Sequence, residues 1–344
     1  MELGIGMFGD LTYNNAEGKF QSAKERLSQM IEQVKLADEL GIDSFVLGEH
    51  HRPDYSVSTP EIVLSALSTV TKNIKLASGV TVLSSADPVK AFQDYTTLDL
   101  LSNGRAELIA GRGSFTESFP IFGQNLNDYN ELFEEKLNLL LQLRDKEVIS
   151  WRGKFRTALN AQTIYPRPEQ PLNVWIAVGG TPESVYRAAR LGVPIIFAII
   201  GGSPKQFTPL IEFYKEQYEK YGHDISKMQI GVHSHAFVVE NKDNLTENYF
   251  PYYAAQMNRI GRQRGWSPYS QMQFLGGMSP EGALYMGESD MVADKIINTI
   301  EMFGLTRWVA HIDVGGPNHK DLMKAIELYG TKVVPQVKKA LKKD

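Results

Sequence analysis

Residues 174–198 read VWIAVGGTPESVYRAARLGVPIIFA. An apolar run of buried-strand type at 174–178 is followed by two glycines. A stretch of helical character comes next at 181–191, then a second apolar run at 194–198. Strand, helix and strand at this spacing form a crossover unit, whose two strands lie parallel in one sheet.

The unit repeats outward in both directions. Strands are expected at 3–8, 44–47, 75–83, 105–110, 174–178, 194–198, 229–238 and 308–314. Helices are expected between and after them at 22–40, 60–71, 88–101, 127–144, 181–191, 204–221, 289–303 and 320–341. Eight strands joined by helical crossovers imply a closed parallel (β/α)8 or TIM barrel, because right-handed crossovers leave few other arrangements. The competing architecture is an open doubly wound sheet. It normally carries a glycine-rich dinucleotide turn after its first strand, and Met7-Phe8-Gly9-Asp10 supplies none. Residues 146–172 and 243–287 exceed ordinary connections and read as insertions after strands four and seven, the second a lid candidate. No linker marks a second domain, so residues 1–344 are expected to form a single barrel domain.

Composition narrows the function. The chain has 36 basic and 40 acidic residues, a net charge of −4 and 42% hydrophobic residues. A balanced, interspersed charge argues against a nucleic-acid or membrane-surface partner, which would favour a basic stripe. The one basic cluster, Lys338, Lys339, Lys342 and Lys343, suits the negative end of a closing helix. There is no cysteine, so disulfides, thiolate metal sites and dithiol redox chemistry are excluded and any redox function needs a bound cofactor. No apolar run reaches the length of a membrane span, and the expected location is cytoplasmic.

In a parallel barrel the chemistry sits at the carboxyl ends of the strands. After strand two come Glu49, His50 and His51; an imidazole there can exchange protons near neutral pH, or serve structure alone. Strand three contains Ser78-Gly79-Val80-Thr81, where a glycine inside a β-branched run signals either close approach by a ligand or a bulge. After strand four, Arg112 stands between Gly111 and Gly113, free to reach an anion or to make a surface ion pair. After strand five, Val178-Gly179-Gly180-Thr181-Pro182-Glu183-Ser184 brings glycine amides, two hydroxyls and a positive helix end together. That is an anion pocket, unless Thr181 and Ser184 only cap the helix. On strand seven, His233 and His235 share a strand face and could bind one metal, with Glu49 and Asp313 as the evident carboxylate partners. Tyr13, Phe115, Phe119 and Trp266 are candidates for an apolar substrate pocket.

Taken in order, Gly48-Glu49-His50-His51, Asp87-Pro88-Val89 continuing to Leu98-Asp99-Leu100-Leu101-Ser102-Asn103-Gly104-Arg105, Gly111-Arg112-Gly113 and the 178–184 turn resemble the bacterial luciferase superfamily. The likeness is greatest to its luciferase-like oxidoreductases and runs from Met7 to about Pro335. The resemblance implies FMN at the mouth of the barrel. Gly180, Thr181 and Ser184 would bind its phosphate with Arg112 adding charge, while Glu49, Val178 and Gly179 join the cofactor site. Gly79-Val80 would form a non-prolyl cis peptide beneath the flavin ring, and His50 would face the reactive flavin, to move a proton or steady an oxygen adduct. Two positions depart from luciferase itself: Asn130 stands in place of a phosphate-binding arginine, and Gly180 in place of a glutamate.

The reading expected from these residues is an FMN-dependent oxidoreductase, a monooxygenase acting on a small organic molecule. Its reduced flavin would come from a partner flavin reductase or from NAD(P)H, and the family implies a homodimer. The alternatives are a reductase or dehydrogenase using the deazaflavin coenzyme F420, a metal-dependent hydrolase built on His233 and His235, and a non-catalytic barrel subunit.

Overall fold

A computed structural model of the chain describes residues 1–14 and 17–342. Its central feature is a ring of eight parallel strands: β1 (Glu2–Met7), β2 (Ser44–Leu47), β3 (Lys75–Ser78), β4 (Ala106–Gly111), β5 (Asn173–Val178), β6 (Ile195–Ala198), β7 (Ile230–Val239) and β8 (Arg307–His311). Each pairs with its neighbour in sequence, and β8 pairs with β1 in the register Gly4↔Val309. That last pairing shuts the ring. The expected (β/α)8 barrel is the observed fold, and the open sheet is ruled out.

The helices that follow β1 to β8 in turn are α1 (Ala23–Glu39), α2 (Pro60–Ser68), α3 (Pro88–Leu101), α4 (Tyr129–Asp145), α5 (Pro182–Leu191), α6 (Thr208–Lys220), α7 (Ser289–Phe303) and α8 (His319–Leu328). Local sequence starts and stops them. Asp87 caps α3 by accepting from the Val89 and Lys90 amides at 2.9 and 3.1 Å, with Pro88 in the first turn. At its other end, Asn103 and Gly104 take positive φ, and Arg105 clasps the Ile74 and Ser102 carbonyls, each at 2.8 Å. The Asp87–Arg105 stretch is therefore a helix with both ends specified. The closing segment, expected as one helix over 320–341, is α8, a wide turn at Tyr329–Val333 and a last helix at Val334–Ala340. Lys338 and Lys339 lie in its final turn, Lys338 meeting Asp43 at 2.8 Å, and Lys343 falls outside the described residues.

Strand alternation divides the core in two. Val46, Ala77, Ile109, Trp175, Ile196 and Val309 point inward and fill the barrel, while their neighbours pack against the helices. Toward the amino-terminal end, Arg307 lies over the Trp175 ring at 4.3 Å and bonds Glu107 and Glu2, which plugs that end with a neutralised charge. The carboxyl end is left open.

Three details depart from expectation. The third strand is not continuous over 75–83 but breaks after Ser78 and resumes at Thr81–Val82, with the cis Gly79–Val80 peptide lying between the two pieces. The first insertion holds an antiparallel hairpin, Val148–Trp151 with Leu159–Thr163. The second holds helices Phe250–Arg264 and Gln271–Met278, and a short strand, Tyr285–Glu288, that pairs with the outer half of β7.

Candidate active site

The open end of the barrel encloses a cavity of about 270 Å³. Glu49, His50, Gly79, Val80, Arg112, Val178 and Gly179 line it, as do Phe8, Phe115, Tyr129 and His233. Gly180, Thr181 and Ser184 stand at the adjoining rim, joined to it through Arg112. The expected site residues are thus brought to one place from the ends of β2, β3, β4 and β5.

The rim has the chemistry of an anion site. The Arg112 guanidinium donates to Ser184 Oγ at 3.0 Å, to Thr181 Oγ1 at 3.3 Å and to Asn130 Oδ1 at 2.6 Å. Its flat face lies over the Tyr129 ring at 5.2 Å, while the Tyr129 hydroxyl is held by the Gly113 carbonyl. Thr181 occupies the N-cap position of α5, yet its hydroxyl makes no cap bond and instead donates to Ser184 Oγ at 2.8 Å. The capping explanation for these two hydroxyls therefore fails. Gly180 has φ +119°, which an L side chain rarely adopts, and this conformation lets the turn deliver α5 to the rim. Arg187, one turn further along α5, brings a second guanidinium, half-buried over Phe133, whose Nη1 has no partner. The sequence reading missed it; helical spacing from Ser184 was the available signal.

The floor is apolar and tight. A Cβ on Gly79 would come within 2.1 Å of Val46 Cγ1, so only glycine fits where β3 turns at the cis bond. Glu49 braces this floor from beside it: Oε2 accepts from the Val82 amide at 2.8 Å and Oε1 meets His51 Nε2 at 2.9 Å. Glu49 thus reaches the cavity as a bracing carboxylate.

His50 is 9% exposed, and neither ring nitrogen has a hydrogen-bond partner. It stacks on Tyr55 with centroids 4.3 Å apart and meets Phe8 and Phe115 edge-on at 4.6 and 5.0 Å. Burial, aided by nearby His311, lowers its pKa to about 3. The ring is therefore neutral at physiological pH, with both nitrogens buried and unpartnered. Tyr55 accepts a 2.6 Å bond from Gln256 on helix Phe250–Arg264, and Arg264 reaches the Ser114 carbonyl at 3.2 Å, so the second insertion is tied to the cavity wall. Of the four aromatic candidates only Phe115 lines the cavity. Phe119 is buried against Tyr129, and Tyr13 and Trp266 are exposed because they sit on the insertions' outer surface or on a hairpin.

His233 and His235 do not converge on a metal. His233 Nε2 lies 3.1 Å from His311 Nδ1, whereas His235 Nδ1 bonds the Tyr253 hydroxyl at 2.8 Å. Among the described residues, Asp10, His311 and Asp313 form the one cluster with three ligand atoms close enough for an ion. Asp313 already accepts there from the Phe8, Gly9 and Asp10 amides and from Arg26 Nη2 at 3.0 Å. A cation would have to sit against that guanidinium. Burial raises the Asp313 pKa, but His311, Arg26 and the Phe8 amide outweigh it and hold the carboxyl at about 2. Burial and the neighbouring Asp313 push Asp10 the other way, well above the usual carboxylate range.

Fold and site together define a parallel barrel with an arginine- and hydroxyl-lined rim beside an apolar, histidine-walled cavity. The family model for luciferase-like monooxygenases matches residues 6–310, and the chain belongs to that family. It is 23% identical to the uncharacterized protein y4vJ of Sinorhizobium fredii, over 94% of this chain and 95% of that one. It is 27% identical to an alkanal monooxygenase alpha chain of Photorhabdus laumondii, over 59% of this chain and 57% of the other. Three solved structures share the fold. The monooxygenase RslO1 from Streptomyces bottropensis has a TM-score of 0.83 at 21% identity, covering 97% of this chain and 99% of its own. The oxygenating constituent of 3,6-diketocamphane monooxygenase from Pseudomonas putida, in complex with FMN, scores 0.76 at 20% identity over 98% of each chain. A coenzyme F420-dependent tetrahydromethanopterin reductase from Methanopyrus kandleri scores 0.73 at 18% identity, covering 98% and 99%. Of these three, one is thus described in complex with FMN and another as F420-dependent. No helix among the described residues is long and apolar enough to cross a membrane.

Proposed function

We propose that this chain is an FMN-dependent oxidoreductase, a monooxygenase that oxidises a small organic substrate with O2. The observation that carries the reading is the rim, where Arg112 and the hydroxyls of Thr181 and Ser184 meet without serving the helix they stand on. Such a set suits a phosphate monoester, whose oxygens accept from a guanidinium fork, hydroxyls and helix-start amides at once. Arg112, Gly180, Thr181 and Ser184 would hold the phosphate, and Gly79 and Val80 would support the ring. Reduced flavin, when bound, supplies the electrons for oxygen chemistry, delivered by a separate reductase or by NAD(P)H.

What this chain contributes is placement and dryness. Val80, Val82, Ile109, Val178 and Ile196 give the cavity apolar walls that would help to exclude water around a bound ring. Glu49 keeps the floor in register, and His50 offers a neutral imidazole that can accept or donate one proton at an otherwise apolar wall. Two relatives named for coenzyme F420, the Methanopyrus reductase and an F420-dependent glucose-6-phosphate dehydrogenase of Amycolatopsis mediterranei, make the deazaflavin the alternative to exclude. Fluorescence titration of the purified protein with FMN and with F420 decides between them. Selective FMN binding supports the proposal, preference for F420 transfers it to hydride chemistry without oxygen, and binding of neither removes it.

A further inference from the structure

We propose that His233 is a second proton-handling group of this cavity, a proton acceptor whose free Nδ1 is set by a relay through His311 to Asp313. The inference goes beyond the flavin assignment, since it concerns the chain's own hydrogen-bond order, whichever cofactor the cavity takes.

The geometry starts in the barrel wall. His233 and His235 on β7 and His311 on β8 alternate onto the interior, with His235 in register with His311. His233 lines the cavity, and its Nε2 is engaged by His311 Nδ1 at 3.1 Å. The other nitrogen of His311, Nε2, lies 3.3 Å from Asp313 Oδ1, an ion-pair approach rather than an aligned hydrogen bond, and a lone pair there would face the carboxylate. Two rings and a carboxylate therefore run in series from the cavity into the protein. The chain is closely packed: a Cβ on Gly6 would stand 2.5 Å from His233 Nε2, so the bare backbone of β1 makes room for the ring.

Protonation follows from the inner end. Asp313 is a carboxylate, held by Arg26 and three backbone amides, so the His311 nitrogen facing it carries the hydrogen. His311 Nδ1 is then a lone pair, and the one group among the described residues that meets it is His233 Nε2, which donates. A neutral His233 with its hydrogen on Nε2 has a bare Nδ1, and no described residue donates to that atom. It is an acceptor waiting for an O–H or N–H of a bound substrate.

The relay also solves an electrostatic difficulty. Burial, with His311 and His235 adding to it, holds the His233 pKa well below the usual imidazole value, so a positive charge left on that ring would be costly. The other groups facing it are Asp313, with Arg26 and Asp10 behind, and His50 across the Phe8 ring. When a substrate X–H bond breaks, X keeps the electron pair and its proton forms the Nδ1–H bond. The Nε2 proton passes to His311 Nδ1, so the charge comes to rest beside the Asp313 carboxylate and His233 is neutral again. His311 and Asp313 are positioning residues in this scheme; only His233 faces the reacting molecule.

Selective 15N labelling of histidine in the purified protein, without added nucleotide, reads the protonation of each ring nitrogen. At neutral pH His233, assigned by the signal lost in His233→Gln, is expected as the Nε2–H tautomer with Nδ1 unprotonated. His311→Phe keeps a ring of similar shape but removes the acceptor, and is expected to release His233 into a mixture of both tautomers. A wild-type His233 that carries its hydrogen on Nδ1, or is doubly protonated at neutral pH, overturns the proposal even if the variant does not fold. An unchanged tautomer in folded His311→Phe overturns it as well. A protein that shows the expected tautomer yet binds no FMN keeps this relay and loses only the flavin reading.

Discussion

Replacing Arg112 with alanine isolates the rim. In the wild type the guanidinium makes three side-chain bonds, to Ser184, Thr181 and Asn130, and a bound phosphate would take over the donors now spent on the two hydroxyls. A hydrogen bond to a charged group contributes about 1.5–3 kcal/mol net. At about 1.4 kcal/mol per factor of ten, Arg112→Ala should weaken FMN binding about 10- to 150-fold. The side chain is only half-buried, so solvent screening favours the lower part of that range. The control is riboflavin, the same ring system without the phosphate. Its affinity should be unchanged by the substitution, because Arg112 would serve only the ester. Flavin fluorescence quenching at fixed ionic strength measures both. A loss of less than about threefold for FMN, or an equal loss for riboflavin, would falsify the phosphate assignment.

Three further outcomes are expected. His50 is neutral and buried in the fold, with its pKa lowered from 6.5 to about 3. The unfolded chain therefore binds its proton first, and stability should be full above pH 6.5 and fall by about 1.4 kcal/mol per pH unit for this one group as pH drops toward 3. Urea melts at pH 7.5 and 5.5 should show a shallower pH dependence for His50→Phe, and identical slopes would refute the burial argument. Asp313→Ala leaves Arg26 as an unpaired charge at 1% exposure and should destabilise by about 3–5 kcal/mol; denaturant unfolding checks this, and a loss under 1 kcal/mol would contradict it. Arg307→Met at the opposite end of the barrel takes the buried guanidinium from Glu107 and Glu2 and leaves them only Lys75, among the described residues, as a cationic partner. It should lower Tm while leaving FMN affinity within twofold of wild type, and a tenfold affinity change would break the separation of stabilising and binding ends.

The barrel was readable strand by strand because each of its eight strands is a short apolar run bounded by turn residues and followed by a helical stretch. The observed spans of β2, α3 and α7 coincide with those expected from periodicity, caps and glycine turns. Tyr285–Glu288 was not readable: four residues with a glycine and a glutamate carry no strand pattern, and they are extended because the edge of β7 pairs with them. Helix Phe250–Arg264 lay inside a segment read only as insertion, although Gly265 ends it in the left-handed conformation expected of a helix stop. The glycine turn and Arg112 were legible as candidate anion ligands one at a time. Their direct contact, and the presence of Arg187 nearby, required the β4 and β5 ends to be side by side.

Residue order along the chain settled the architecture, because strand and helix periodicities are local and a repeated crossover of one hand closes in few ways. It also settled which loops carry polar groups to the open end. Tertiary structure alone decided what those groups are. Burial made His50 a neutral, unpartnered ring, while Arg26, 287 residues away from Asp313 in sequence, kept that carboxylate charged. Protonation and partnership depend on what lies within a few ångströms through space, and in a barrel those neighbours come from strands at opposite ends of the chain.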